Sequence, residues 1–194
     1  MDILGITKSK TRESLFKLYF SDTNKKYYLR ELERILKFPV QNIRRELINL
    51  EKLGIFQKEK QGKEVYYFLN KKSPIFDELK KIISKTIGIE AQIKKSIKGL
   101  NNVKIAFIFG SFAKEEEDSF SDIDLMLIGK PNEDKLISKI TKIENQLGRE
   151  INYHIFSAAD WKKKIKEKNS FLENLLSHPK IFLISNQNEL RRIS

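Results

Sequence analysis

Two short stretches in the second half of the chain decide its fold: residues 103–111 read VKIAFIFGS, and residues 121–129 read SDIDLMLIG. Each contains an unbroken apolar run of strand length, which is typical of a strand buried inside a sheet. The first run ends at Gly110-Ser111, and the second begins at Asp122-Ile123-Asp124. The two apolar runs therefore predict neighbouring buried strands, each with a polar motif at one end.

The second motif carries two carboxylates with strand spacing. Because side chains alternate across a strand, Asp122 and Asp124 share one face, with backbones about 6.5–7 Å apart. Two carboxylates aimed at one point repel each other unless a cation lies between them. Such oxygen ligands suit Mg²⁺, or the similar Mn²⁺, and Mg²⁺ also holds nucleotide phosphates. Gly110 lets the backbone approach a phosphate, and Ser111 offers a hydroxyl and an amide. The alternative, an ordinary strand start on the surface, leaves the Gly-Ser motif unexplained.

Gly-Ser followed after ten residues by Asp-x-Asp resembles the polymerase-beta-type nucleotidyltransferase superfamily in its minimal, stand-alone form. The resemblance covers roughly residues 100–184 and implies a small mixed sheet flanked by helices. It implies that a nucleoside triphosphate is the substrate or ligand. The residues that it assigns to nucleotide binding are Gly110, Ser111 and Lys114, and those that it assigns to metal binding and catalysis are Asp122 and Asp124. The family often has glycine after the basic residue, whereas Glu115 follows Lys114 here.

A third carboxylate, which acts as general base in active members, falls near the start of the next inner strand. That strand is expected at residues 148–156, which read GREINYHIF, and the third position aligns with Asn152. Asparagine neither takes a proton nor binds a second metal well. Glu150, two residues earlier on the same face, is an alternative base. His154 also lies on that face, although a lone histidine on a strand is more often simply packed. The sequence therefore leaves open whether this domain transfers a nucleotide or only binds one.

The basic charge of the chain is concentrated in its first half. Of the net charge of +12, residues 1–72 carry +8, from 17 Lys or Arg and 9 Asp or Glu, whereas residues 103–194 carry +1, from 15 and 14. A generally lysine-rich composition explains a high total but not this asymmetry. The first half is therefore expected to bind a phosphate-rich partner, and double-stranded DNA is the partner that we predict.

The first half also has the pattern of a small DNA-binding domain. Apolar spacing predicts helices at residues 12–20, 29–36 and 40–53, and short strands at residues 55–60 and 64–69. Helices and a hairpin in this order resemble the winged helix-turn-helix family over most of residues 8–70. The resemblance implies a recognition helix in the major groove, flanked by a basic hairpin.

The DNA-contacting residues are expected on the face of the third helix that lies opposite its apolar stripe. Asparagine and glutamine pair with adenine and arginine pairs with guanine, while hairpin lysines reach phosphates. The candidates are Gln41, Asn42, Arg44, Arg45, Asn49 and Lys52 on the helix, and Lys60 and Lys63 on the hairpin. The alternatives are a polar face that only keeps the helix soluble, and a winged helix used as a protein contact.

A connector joins the two halves. Apolar residues recur near helical spacing from Ile75 to Ile97, which predicts one long helix that Gly88 weakens in the middle. Its apolar stripe must be buried on the joined domains or on a second copy of the chain, and we expect a homodimer. The predicted organisation is an α+β chain with a winged-helix domain at residues 1–72, a connector at 73–99 and a nucleotidyltransferase-like domain at 100–194.

Together these patterns predict a DNA-binding transcriptional regulator whose second domain binds a Mg-nucleotide. The alternatives are an active nucleotidyltransferase that modifies a protein or small-molecule hydroxyl, and an antitoxin-like protein with a toxin-type partner and autoregulatory DNA binding. The absence of cysteine excludes disulfides and thiolate metal sites. No signal peptide or membrane span is apparent, so a cytoplasmic protein without a membrane partner is expected.

Overall fold

The computed structural model describes residues 8–114 and 121–194, which form two compact units that divide between Gly88 and Ile89. Both units combine helices with a sheet, so the chain is the mixed α+β protein that the sequence predicted. The acidic segment between Lys114 and Ser121 lies outside the described residues. Within the described residues, no helix is both long enough and apolar enough to cross a membrane.

The first unit combines helices with a small antiparallel sheet. Its described elements are α1 (Lys10–Ser21), β1 (Tyr27–Tyr28), α2 (Leu29–Leu36), α3 (Val40–Lys52), β2 (Phe56–Gln61), β3 (Glu64–Leu69) and α4 (Phe76–Thr86). The strands pair in the order β1-β3-β2. The bounds of α1, α2, α3, β2 and β3 lie within about two residues of those that the sequence predicted.

The core of the first unit is formed by apolar stripes of its helices packed on the sheet. Ile43, Leu47 and Leu50 of α3 are buried, as the spacing predicted. Two other apolar residues depart from the predicted stripes: Ile35 is 45% exposed and Leu53 is 64% exposed. Leu53 is the C-cap of α3, and Ile35 lies in the last turn of α2, so both lie at helix ends.

The prediction of a single connector helix is wrong, because the segment forms α4 and a separate helix, α5 (Ile89–Ile97). The amides of Ile87 and Gly88 both donate to the Ile83 carbonyl, at 3.0 and 2.7 Å, which closes the end of α4. A Cβ on Gly88 would lie 2.8 Å from the Ser84 Cα, so this tight ending requires glycine. Ile83 is buried in the core of the first unit and Ile93 in that of the second. The apolar stripe is thus divided between two cores, and the expected homodimer stays a prediction.

The second unit is a mixed sheet with helices on both faces. After α5, its described elements are β4 (Val103–Phe109), α6 (Gly110–Lys114), β5 (Ile123–Gly129), α7 (Glu133–Leu147), β6 (Ile151–Phe156), α8 (Ala158–Lys166), α9 (Ser170–Ser177), β7 (Ile181–Ile184) and α10 (Gln187–Ile193). The strand order is β6-β5-β4-β7. β5 and β6 are parallel, and the other pairs are antiparallel.

Alternation along β5 assigns each face of the sheet to a different set of helices. Leu125 and Leu127 belong to a core with α5 and α7, whereas Met126 and Ile128 belong to a core with α8, α9 and α10. Trp161 of α8 is fully buried in this second core, as its amphipathic pattern predicted. Asp124 shares the face of Met126. The predicted polar motif therefore lies at the edge of the face that α8, α9 and α10 cover.

Candidate functional site

A close approach between Gly110 and Asp124 brings the two predicted motifs together. β4 and β5 pair so that Phe109 and Asp124 are opposite each other, and the chain then turns at Gly110 with φ +72°. A Cβ on Gly110 would overlap the Asp124 carboxylate and lie 3.2 Å from its Cγ. Both the positive φ and the missing side chain are therefore required at this position. Only glycine lets the turn lie directly against this carboxylate.

Asp122 and Asp124 form the candidate metal site. Asp122 precedes β5 and is exposed, whereas Asp124 is half-buried on the same face. Burial raises the pKa of the Asp124 carboxyl above its usual range, and the Asp122 carboxylate raises it further, while His154 acts in the opposite direction. A divalent cation beside the two carboxylates would relieve the cost of this burial and repulsion.

The donor set fits Mg²⁺ or Mn²⁺ in chemistry, because both carboxylates are hard oxygen ligands. Within residues 8–114 and 121–194, no three His, Asp or Glu side chains are grouped as a complete metal site. Phosphate oxygens and water would supply the remaining ligands, which is the usual arrangement for Mg²⁺ at nucleotide sites.

The predicted phosphate-binding residues lie at the turn itself. Ser111 and Lys114 belong to α6, and both are half-buried. Phe112 and Ala113 between them are buried, and Phe112 packs in the core that α5 and α7 share with the sheet. This packing holds α6 against the sheet and thereby fixes the position of Ser111 beside the Gly110 turn.

Asn152 occupies the position beside the two carboxylates. The parallel register places Asn152 opposite Asp124, and the Asn152 side-chain Nδ2 donates to Asp122 Oδ2 at 3.1 Å. Glu150 lies just before β6 with an exposed side chain, and its backbone carbonyl accepts from the Ile123 amide at 3.0 Å. The side chain of Asn152, which hydrogen-bonds Asp122, is thus an amide donor and not a carboxylate. The nearest carboxylate along this segment is that of Glu150, two residues earlier in the chain.

A buried arginine that the sequence analysis did not single out holds the backbone just before Asp122. Arg149 donates through Nε to the Ser121 carbonyl at 2.9 Å, and its Nη2 donates to the same oxygen. Its guanidinium lies 5.5 Å from the ring centre of Phe112. Arg149 therefore ties the start of β5 to the start of β6. No local pattern in the sequence distinguishes it from an ordinary surface arginine.

Three aromatic rings, which we call the aromatic rim, lie together next to the acidic pair: Phe109 of β4, His154 of β6 and Phe171 of α9. The ring centres of His154 and Phe171 are 5.3 Å apart, and each lies 6.0 Å from that of Phe109. His154 is exposed, and Phe171 is 40% exposed. Of the three rings, only His154 was expected near the site from the sequence, because the other two join it through strand pairing and helix packing.

The predicted DNA-contacting residues of the first unit lie on the surface. Gln41, Arg44, Arg45, Asn49 and Lys52 are exposed and Asn42 is half-buried, on the sides of α3 away from its buried stripe. Lys60 and Lys63 are exposed at the tip of the β2–β3 hairpin. The neighbouring Lys58 instead forms an ion pair with Glu51 at 3.0 Å.

Comparisons with known proteins agree with the motif in the second unit. A family model described as "Polymerase beta, Nucleotidyltransferase" matches residues 91–187. No curated protein matches the chain.

Three solved structures resemble part of the chain. A toxin-antitoxin with AMP-PNP is 14% identical, with a TM-score of 0.39, over 54% of this chain and 79% of that one. A mutant of the toxin-antitoxin MntA-HpeT is 12% identical, with a TM-score of 0.40 and the same shares. A putative nucleotidyltransferase from Sulfolobus solfataricus is 15% identical, with a TM-score of 0.25, over 48% and 73%. TM-scores this low establish no shared function.

Proposed function

The chain belongs to the polymerase beta nucleotidyltransferase family, and from this premise we propose that its second unit binds a nucleoside triphosphate together with Mg²⁺ or Mn²⁺. Family membership supports nucleotidyltransferase chemistry, which was an alternative in the sequence analysis, more directly than it supports DNA-binding regulation. The observation that carries the proposal is the contact between Gly110 and Asp124, because it joins a phosphate-type turn to a metal-type carboxylate.

Each residue of the site has a distinct role in this proposal. Asp122 and Asp124 hold the cation, and the Gly110 and Ser111 backbone with the Ser111 hydroxyl contacts the phosphates. Lys114, near the turn, adds positive charge to the phosphate site. When bound, the cation neutralises charge on the triphosphate, which is the main requirement of phosphoryl transfer chemistry.

The nucleotidyl transfer step requires a group that accepts a proton. The oxygen of an acceptor hydroxyl forms a bond to the α-phosphorus, the bond to the leaving pyrophosphate breaks, and the hydroxyl proton must go to a base. Asn152 cannot take that proton, and its amide is already engaged with Asp122. Glu150 is the alternative base on the same face. We propose that transfer is slow in the native protein, with nucleotide binding as the stronger activity.

Calorimetry of the full chain with Mg²⁺ and each nucleoside triphosphate tests this function. Replacing Asp122 and Asp124 with Asn is expected to remove Mg²⁺-dependent binding. The matched control replaces Glu133 with Gln and Asp134 with Asn, because these residues begin α7 on the opposite face of the sheet and the loss of charge is equal. Nucleotide affinity that is equal in the wild type and the double Asn variant would contradict the assignment, as would no binding by the wild type.

DNA binding by the first unit is the second candidate function. It is supported by the exposed Arg44 and Arg45 on α3, by Lys60 and Lys63 at the hairpin tip, and by the net charge of +8 in residues 1–72. The order of helices and strands resembles that of a winged helix-turn-helix, a resemblance that would place α3 in the major groove. Regulation of transcription by a nucleotide, and a toxin-type protein partner, stay predictions from the sequence.

A further inference from the structure

The aromatic rim is contiguous with the proposed nucleotide site. Phe109 immediately precedes Gly110, and its register partner is Asp124, so these backbones are separated by about one strand spacing. His154 follows Asn152 by two residues on the same face, which corresponds to about 6.5–7 Å along the strand. The rim therefore begins where the phosphate turn and the carboxylates end, on the same face of the sheet.

The rim is more exposed than packing alone requires. Among the described residues, Phe171 is one of few large apolar side chains that expose more than a third of their surface, although the next residue of α9, Leu172, is fully buried in a core. The partner of both phenylalanines is an exposed histidine, a polar ring that gains little from apolar contact alone. An aromatic surface that combines Phe with His suits a flat, partly polar ring better than an aliphatic group.

We propose that the aromatic rim is the subsite for the nucleobase, so that the base of the bound nucleotide stacks on Phe171 and His154 while its phosphates lie at Gly110 and Ser111. This inference rests on the proposed function. The base and the phosphates belong to one molecule, so the base must bind within reach of the phosphate site, as the aromatic rim does. Stacking on aromatic side chains tolerates every base, so the rim contributes affinity more than base preference.

A binding experiment on variants of the aromatic rim distinguishes the contribution of the nucleobase from that of the phosphates. Affinities for ATP and for inorganic tripolyphosphate are measured by calorimetry with Mg²⁺ on the wild type, Phe171→Ala, His154→Ala and the control Ile137→Ala. Ile137 is 50% exposed on α7, which packs on the other face of the sheet, so its variant removes comparable exposed apolar surface away from the site. Stacking contributes about 1–3 kcal/mol per base, which corresponds to about 5- to 150-fold in affinity.

The expected result is that Phe171→Ala loses about 5- to 150-fold in ATP affinity and that His154→Ala loses affinity in the same direction. Tripolyphosphate affinity should be unchanged in Phe171→Ala, and Ile137→Ala should match the wild type. Phe171→Trp supplies a direct signal, because ATP should quench the fluorescence of a tryptophan at the rim whereas tripolyphosphate should not. Its ATP affinity should equal or exceed that of the wild type. The native Trp161 is fully buried and provides a constant background.

Two failures are distinguishable. Unchanged ATP affinity in Phe171→Ala, with Mg²⁺-dependent tripolyphosphate binding intact, overturns only the nucleobase subsite. An equal loss for ATP and tripolyphosphate overturns it as well, because the variant would then disturb the phosphate site. A wild type that binds neither ligand in the presence of Mg²⁺ overturns the proposed function and, with it, this inference.

Discussion

Asn152 donates a side-chain hydrogen bond to Asp122 across the parallel pair of β5 and β6, with 3.1 Å between Nδ2 and Oδ2. The amide supplies a hydrogen-bond donor to the Asp122 carboxylate without adding a negative charge. We expect the two carboxylates to hold one cation, and Asn152, which cannot take a proton, lies where the family resemblance leads us to expect a third carboxylate. Nucleotide binding and nucleotidyl transfer place different demands on this position.

Changing Asn152 to Asp is expected to increase nucleotidyl transfer by about 10²–10⁴-fold, which is the usual contribution of a positioned general base. The new carboxylate would lie beside Asp122 and opposite Asp124, so it would also increase the charge that attracts a divalent cation. The measurement is transfer of label from each triphosphate with Mg²⁺, with and without cell extract as a source of acceptors.

Glu150→Gln is the companion variant for this prediction. Robust transfer by the wild type that disappears in Glu150→Gln would make Glu150 the base, and robust transfer that survives it would place the base elsewhere. An inactive wild type that Asn152→Asp does not activate would leave binding as the function of the site.

Changing Gly110 to Ala is expected to abolish Mg²⁺-dependent nucleotide binding and to lower the melting temperature. The added Cβ would overlap the Asp124 carboxylate, and alanine is strained at φ +72°. Gly148→Ala is the matched control, because Gly148 has φ +64° and nothing within 4 Å of the added Cβ. The control should show only the backbone cost, about 1–2 kcal/mol, and should keep its nucleotide affinity. Equal effects of the two changes on nucleotide binding would refute a special role for the Gly110–Asp124 contact.

Changing Asp124 to Asn is expected to stabilise the metal-free protein at neutral pH. Burial and the Asp122 carboxylate raise the pKa of Asp124 in the folded state. The folded state therefore loses stability as the pH rises from the ordinary carboxyl pKa of the unfolded chain, near 4, to the raised pKa of the folded protein. The variant carries no charge and avoids this cost. Thermal unfolding in EDTA should therefore show a higher melting temperature for the variant at pH 7 and a vanishing difference below about pH 4. Mg²⁺ should stabilise only the wild type, and a difference that persists at low pH would contradict this account.

Changing Arg44 and Arg45 to Glu is expected to abolish duplex DNA binding without unfolding the first unit, because both side chains are exposed on α3. Affinity of the wild type should fall steeply with salt, since neutralised phosphates release counterions. Lys81→Glu with Lys85→Glu on α4, where both side chains are exposed, gives the same charge change at another surface. Binding by fluorescence anisotropy that is unchanged in the Arg44 and Arg45 variant at physiological salt would exclude α3 as the contact.

Local patterns in the amino-acid sequence determined the family, the shared face of the two aspartates and the buried side of α3. The Gly110-Ser111 and Asp122-Ile123-Asp124 motifs predict the nucleotidyltransferase family. They also predict that Asp122 and Asp124 share one face of the sheet, because side-chain directions alternate along a strand. The apolar period of α3 likewise predicts that Ile43 and Leu47 are buried while Arg44 and Arg45 are exposed. These outcomes depend on residues close together in the chain.

Tertiary structure decided what depends on distant residues. The tight end of α4 at Gly88, which splits the predicted connector, is favoured because Ile83 and Ile93 are buried in different cores. The hydrogen bond from Asn152 to Asp122 depends on the parallel register of strands whose paired residues are 28 positions apart. Phe171 reaches Phe109 and His154 only through the packing of α9. Helical and strand periods encode which side of an element is apolar, whereas long-range pairing is selected by the burial of all the elements together.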